Sequence, residues 1–434
     1  MTHIASTQPD QTAPESTNVR AMAMVTTLFF MWGFLTCLND ILVPHLKAIF
    51  DLSYAEVMLI QFSFFSAYFV FSLPAGKLIA WIGYKRTMVT GLLVMGLGAL
   101  LFIPAASAPS FPLFLAALII LASGITALQV AANPYVAVLG PARTASSRLN
   151  LTQAFNSFGT TIAPYLGGLF ILSAAPRTMD EIRKLSPVDL QAYRLHEAAS
   201  VKLPYLAIAV ALIALGIVIA MFKLPVLQVE KQRSNAGDSV WTHSNLVLGV
   251  VGIFVYVGAE VSIGSFLVNY LSQPDVGNLS VQVAAKYVSL YWLGAMIGRF
   301  IGSALLRKLS PGKLLGGFAM AAAALVLTSM LGAGHLAMWS IILVGLFNSI
   351  MFPNIFTLAI DGLGPLVGKG SGLLVAAIVG GAIVPEIQGI VADHIGIKHA
   401  FFLPVICYLY IVFYGFVGSR RKNTFISAAS PQTH

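Results

Sequence analysis

The sequence predicts an all-α membrane protein with twelve transmembrane helices in two pseudo-symmetric six-helix bundles. Three observations carry that prediction. Of 434 residues, 58% are hydrophobic and only 9% charged, with a mean hydropathy of +0.85; a soluble domain carries about 25% charged residues. Apolar stretches of about 20 residues or more, the length that crosses a bilayer, recur near 21–48, 54–82, 86–106, 110–139, 147–174, 201–224, 243–273, 281–308, 311–333, 335–363, 368–396 and 398–420. The two halves of that series also repeat each other at an offset of about 220 residues.

The repeat is carried by helix breakers. Span four holds Ala132-Asn133-Pro134-Tyr135 and then Leu139-Gly140-Pro141, and span ten holds Phe352-Pro353-Asn354-Ile355 and then Leu363-Gly364-Pro365. Pro164 in span five answers Pro385 in span eleven, and Gly83-Tyr84-Lys85-Arg86 after span two answers Arg307-Lys308-Leu309-Ser310 after span eight. Such parallel repeats are related by an axis along the membrane normal. Asp40 in span one lands beside Glu260 in span seven, one intramembrane acid per half. With twelve spans, two halves and matched acids, the chain resembles the major facilitator architecture.

The domain reading follows: a polar tail over 1–20 with disordered composition, a six-helix bundle over 21–224, a linker over 225–242, a second bundle over 243–420, and a tail over 421–434. The first apolar segment has neither a basic n-region nor a small-residue cleavage site, so it reads as an uncleaved helix. The polar segment 175–200 has the spacing of a short surface helix.

The net charge of +9 is a topology signal. The termini and alternate loops hold 15 Lys and Arg residues against 8 on the other side, so the positive-inside rule places both termini in the cytoplasm. Acids such as Asp180, Glu181 and Asp189 offset the external bases, which argues against nucleic acid as a partner; the partner is the lipid bilayer. Cys37 and Cys407 sit in apolar stretches and read as small core residues. Neither a metal-ligand spacing, a phosphate loop nor a nucleophile elbow is present, so the sequence reads as no enzyme and calls for no cofactor.

The candidate site is built from polar residues at membrane depth. A carboxylate there costs roughly 2.5–3.5 kcal/mol on insertion scales, which marks Asp40 as functional. Trp32, Thr36 and Asp40 are spaced four apart and share one helix face: an aromatic plate, a hydroxyl and an anion suited to a cation and a polar, ring-shaped solute. Thr126, Gln129 and Asn133 line span four, and Asn150, Gln153, Asn156 and Thr160 form a polar stripe on span five. Amides donate and accept, so they match hydroxyls without fixing a charge. Gln61, Glu260, Asn348 and Asn354 join the candidate substrate contacts. Arg299, on the glycine ridge of span eight, is assigned to salt-bridging or snorkelling. Glu386 in span eleven is either a cavity residue or part of the external mouth.

The stretches Leu38-Asn39-Asp40-Ile41-Leu42-Val43-Pro44, Ala131-Ala132-Asn133-Pro134-Tyr135-Val136 and Arg148-Leu149-Asn150-Leu151 through Gln153-Ala154-Phe155-Asn156-Ser157-Phe158-Gly159 resemble the fucose–proton symporter family, which includes bacterial glucose/galactose transporters. The resemblance covers nearly the whole chain outside the tails. It implies monosaccharide uptake by alternating access, with the solute bound mid-membrane in a bacterial inner membrane. In that family acids in spans one and four are implicated in proton coupling; Asp40 matches the first, and Gln129, which cannot titrate, replaces the second. Glu260 is similar to the glucose/galactose branch, some members of which use sodium. The expectation is therefore hexose symport in which Asp40, helped by Asn39, Gln129 and Thr126, holds Na⁺ with oxygen ligands; protonation of Asp40 is the alternative, and an exporter of the same superfamily a more distant one. A monomer suffices, since one chain contains both halves.

Overall fold

Span one, Val19–Phe50, starts where Asn18 caps it: the Oδ1 of Asn18 accepts the Ala21 amide at 3.0 Å, satisfying one of the free donors of a helix N-terminus. Spans two and three run together as Tyr54–Ser107, broken at Gly83, whose φ of 79° is open to a residue without Cβ. Span four is Phe111–Val138 and span five Ala145–Phe170. The surface helix expected in 175–200 is Pro187–Ser200, and span six follows as Lys202–Met221. The second half repeats the order with Ser244–Leu271, Val281–Leu305 and Pro311–Leu331 as spans seven to nine. Span ten is two helices, Gly334–Asn348 and Met351–Ile360. Span eleven is likewise divided, into Val367–Ala376 and Gly380–Ile395, and span twelve runs from Ile397 to a π turn ending at Gly418.

This computed structural model describes residues 16–50, 54–107, 110–170, 185–225 and 239–420, without the side chains of 38–49, 54–58, 61, 164–170, 197, 198 and 200. Both tails beyond those bounds and most of the 225–242 linker lie outside it. Among the described residues, ten segments are long and apolar enough to cross a membrane. One of these, Phe62–Ser107, has 46 residues, two crossings at about 1.5 Å per residue and a core of about 30 Å. Ala145–Phe170, 26 residues with the polar stripe, completes the twelve.

Span one packs on span five and span seven on span eleven, each pair drawn together by glycine. A Cβ on Gly159 would strike the Phe30 carbonyl, and one on Gly380 the Phe254 carbonyl. These equivalent contacts set the register between halves at 221 residues for spans five and eleven and 224 for spans one and seven. Trp32 then corresponds to Tyr256 and Thr36 to Glu260, while Asp40 lies one turn further along. The two acids are therefore staggered by a helical turn rather than level, a correction to the even repeat expected from the sequence.

Arg148, buried at 6% exposure, explains part of the Arg-Leu-Asn motif. Its guanidinium donates to the carbonyls of Val136, Ala137, Gly140 and Pro141 at 2.5–3.1 Å and to Thr144 Oγ1 at 2.6 Å. It closes the carbonyl end of span four, where a cation also complements the helix dipole. On the opposite face Lys398 pairs with Asp275 at 2.6 Å, and this hydrogen bond holds the Asp275 carboxyl below the usual carboxylate range.

Candidate functional site

Proline decides where the two halves meet. Pro134 carries no N–H, so the carbonyl four residues earlier, Val130, loses its helical donor; Ser371 Oγ, from span eleven of the other half, donates to it at 2.8 Å. Pro353 likewise frees the carbonyl of Ser349, and Arg299 Nε donates there at 3.2 Å. A helix broken at membrane depth is tolerated where neighbours complete its backbone.

Across the halves Asn150 Nδ2 donates to Asn354 Oδ1 at 2.9 Å. This bond and the Ser371–Val130 bond are symmetry mates: Asn150 and Ser371 are 221 residues apart, Val130 and Asn354 224. Further along, Ser147 and Ser303 exchange hydroxyl-to-carbonyl bonds at 2.7 and 2.9 Å, and Ser146 meets Thr357 at 2.6 Å. In the mate of the serine contact Gly76 lies on Gly368, where an added Cβ would stand 2.7 Å from the Gly368 carbonyl. Arg299 Nη1 donates to the Gln153 carbonyl at 3.2 Å and to Ser157 Oγ. All these contacts lie in the parts of spans two, four, five, eight, ten and eleven nearer the face at which the described residues begin and end. The molecule is closed on the face carrying both termini.

Several of the expected substrate contacts bond to other parts of the protein here. Asn150 and Asn354 are fully buried and bind each other across the halves. Asn156 ties span five to span one through the Phe29 carbonyl at 2.8 Å. Gln153, 5% exposed, offers its backbone carbonyl to Arg299. The expected snorkelling role of Arg299 is replaced by a bridge between halves. Sequence reasoning passed over Ser146, Ser147, Ser303, Thr357 and Ser371; the signal available was the repeat itself, which sets Ser371 opposite Asn150.

Deeper in each half a polar cluster remains. In the first, Gln129 Nε2 donates to Tyr68 Oη at 2.9 Å, Thr36 and Thr126 bond to their own helices, and Trp32 packs on Phe29 with ring centroids 4.2 Å apart. Asn39 and Asp40 lie on the helix of span one and Gln61 on span two, with side chains outside the described residues. In the second half Tyr256 Oη donates to Glu260 Oε1 at 2.7 Å, and Asn348 Nδ2 to Tyr291 Oη at 2.7 Å. Arg299 is within electrostatic reach of Glu260. Glu386 is exposed and, with Asn269 and Asp393, lines a cleft of about 400 Å³.

Asn133 is fully buried with neither amide atom hydrogen-bonded. The register pairs it with Thr357, and Val367 with Ser146, so the position equivalent to the hydroxyl that Thr357 meets is a valine. Val367→Ser is expected to supply that bond and favour the closed face by about 1 kcal/mol, a factor of about five in population. Spin-label distances across the face bearing the termini would shorten on average; an unchanged distribution would show that Asn133 finds no partner there.

The model of the Major Facilitator Superfamily matches residues 21–385. A glucose/galactose transporter of Brucella abortus is 55% identical over 402 residues, 92% of this chain and 94% of that protein. The L-fucose-proton symporter of Escherichia coli is 37% identical, covering 90% of this chain and 91% of its own. The crystal structure of the transporter FucP in the outward conformation superposes with a TM-score of 0.83 at 35% identity, over 91% of this chain and 97% of that one.

Proposed function

The chain belongs to the Major Facilitator Superfamily, a family of transporters rather than enzymes, and from that premise we propose that it imports a glucose- or galactose-type hexose by cation symport through alternating access. The observation that carries the reading is the arrangement of each half among the described residues: a polar cluster at mid-depth, beside a seal of exchangeable hydrogen bonds between the halves. Opening that seal while closing the other face moves a bound solute across without a continuous pore.

The substrate class rests on the Brucella relative, which is named for glucose and galactose. Trp32, Gln61, Gln129 and Asn133 from the first half and Glu260 and Asn348 from the second are the contacts proposed for the sugar. For the coupling ion the proton is favoured: the Escherichia coli relative is named a proton symporter, and sodium finds no counterpart in the relatives' names. Asp40 is the proposed carrier, with Asn39 and Thr126 its proposed helpers; a proton neutralises the carboxylate and makes its passage with the sugar less costly. The charge asymmetry supports cytoplasmic termini, which makes the conformation outward-facing, and the bacterial relatives support an inner-membrane location.

The test is uptake of labelled glucose and galactose into proteoliposomes under an inward proton gradient or an inward sodium gradient. Accumulation with protons alone is the expected result. Accumulation with sodium alone would return Asp40 to a metal-site role, and saturable export of lipophilic compounds without hexose uptake would sink the sugar reading.

A further inference from the structure

The two seams between the halves carry charge differently. Where spans five and eight meet, Ser147 and Ser303 bond, and the residues after them are already satisfied: Arg148 binds four carbonyls, and Ala304 has no charge. Where spans two and eleven meet, the same positions hold Lys77, after Gly76, and Lys369, after Gly368. Both lysines are exposed, and among the described residues neither ammonium has a hydrogen-bond or ion-pair partner. Neither helix supplies an acid nearby: the sequence has no Asp or Glu from Val57 to Met179, nor from Gly362 to Pro385.

The glycines fix how the lysines stand. A Cβ on Gly76 would lie 2.7 Å from the Gly368 carbonyl oxygen, one on Gly368 3.3 Å from that of Gly76, and one on Gly372 2.9 Å from that of Ser72. Spans two and eleven therefore run antiparallel with their backbones touching. A local twofold axis through such a contact exchanges the helices, so the residues that follow the two contact residues fall on the same side of the seam. At 1.5 Å per residue, Lys77 and Lys369 are about 3 Å apart along the helix axis. Their side is the outer one. Val70, Leu73 and Trp81, which share the face of Lys77 at spacings of seven and four residues, are all exposed. These apolar side chains meet acyl tails, and Trp81, a turn beyond Lys77, is of the type that settles at headgroup level. The four-carbon stem of a lysine reaches that level from a turn deeper.

Two ammoniums side by side on a lipid-facing seam repel each other until an anion lies between them. We infer that the seam of spans two and eleven binds the phosphate headgroup of an anionic phospholipid, held by Lys77 from one half and Lys369 from the other, and that this lipid favours closure of the face bearing the termini. Basic pockets between transmembrane helices suit such headgroups. The coupling to conformation follows from the contact itself. Opening that face parts spans two and eleven, and one headgroup no longer spans both lysines. A ligand shifts an equilibrium by its differential affinity for the two states.

The experiment is spin-label distance measurement across the face bearing the termini, on the full chain in nanodiscs of phosphatidylcholine alone or mixed with phosphatidylglycerol. Phosphatidylglycerol should raise the closed-to-open ratio of wild type about fivefold to thirtyfold, the attraction of one to two lysines for an anionic surface. Lys77→Gln and, independently, Lys369→Gln should remove most of that gain. Lys313→Gln, at an exposed base that starts span nine, should keep it. An equal loss in Lys313→Gln would assign the effect to the general field of the bilayer and overturn the seam site. Reproduction of the gain by inorganic phosphate in phosphatidylcholine would make the ligand a free ion and overturn the lipid. Indifference of wild type to phosphatidylglycerol also overturns it; if the lysine variants then open the face in phosphatidylcholine alone, the anion is a carboxylate of this chain.

Discussion

Asp40→Asn is expected to reduce galactose accumulation to equilibration while sparing exchange of sugar for sugar. An amide of the same shape keeps the hydrogen-bonding face of span one but carries no exchangeable charge. Each positive charge moved inward gains about 2.3 kcal/mol per 100 mV, enough for roughly a fifty-fold sugar gradient at about 1.4 kcal/mol per decade. The variant forfeits that drive entirely, so its accumulation ratio should fall from tens to one. Residual accumulation in Asp40→Asn would move the carrier role elsewhere, with Glu260 the next acid in line. Because the acids are offset by one turn, Glu260 does not sit level with Asp40, and a shared-proton arrangement between symmetry mates is not what the register describes.

The second large effect is expected at Arg299. Its guanidinium holds the Ser349 carbonyl freed by Pro353, and reaches across to Gln153 and Ser157 in the other half. Hydrogen bonds from a charged donor contribute about 1.5–3 kcal/mol each. Arg299→Leu should therefore shift the equilibrium away from the closed face by at least about 2 kcal/mol, roughly thirtyfold. It also strands a carbonyl inside span ten. Spin-label distances between spans five and eight near the chain ends would lengthen, and the transport rate would drop as the outward-facing state is depopulated. Arg299→Lys, a single compact donor in place of a fork, should fall between. Unchanged distances in Arg299→Leu would mean that the serine and asparagine contacts hold the face alone.

Much of this molecule was legible in its sequence. Hydropathy marks the twelve spans because lipid admits few other ways of satisfying a backbone, and the Leu-Gly-Pro corners after spans four and ten mark the repeat. The amides were legible as a polar stripe, but periodicity identifies a face and not the partner facing it. Asn150, Asn354 and Asn133 look alike on that basis; one pair bonds across the halves and the third bonds to nothing. The short hydroxyls of Ser147, Ser303 and Ser371 are ordinary in membrane helices, so they carry no signal until another half is placed against them. The stagger of Asp40 and Glu260 was hidden for a related reason: spans repeat at 221 or 224 residues, and a difference of three or four residues, one helical turn, disappears inside an offset of about 220.

The most direct test of coupled hexose import is the current evoked by a galactose jump on proteoliposomes adsorbed to a solid-supported membrane, in sodium-free buffer at symmetric pH. Proton symport predicts a transient inward positive current that saturates with galactose and is absent in Asp40→Asn. Galactose uptake by the same vesicles without any current, or a current that appears only after sodium is added, would contradict it.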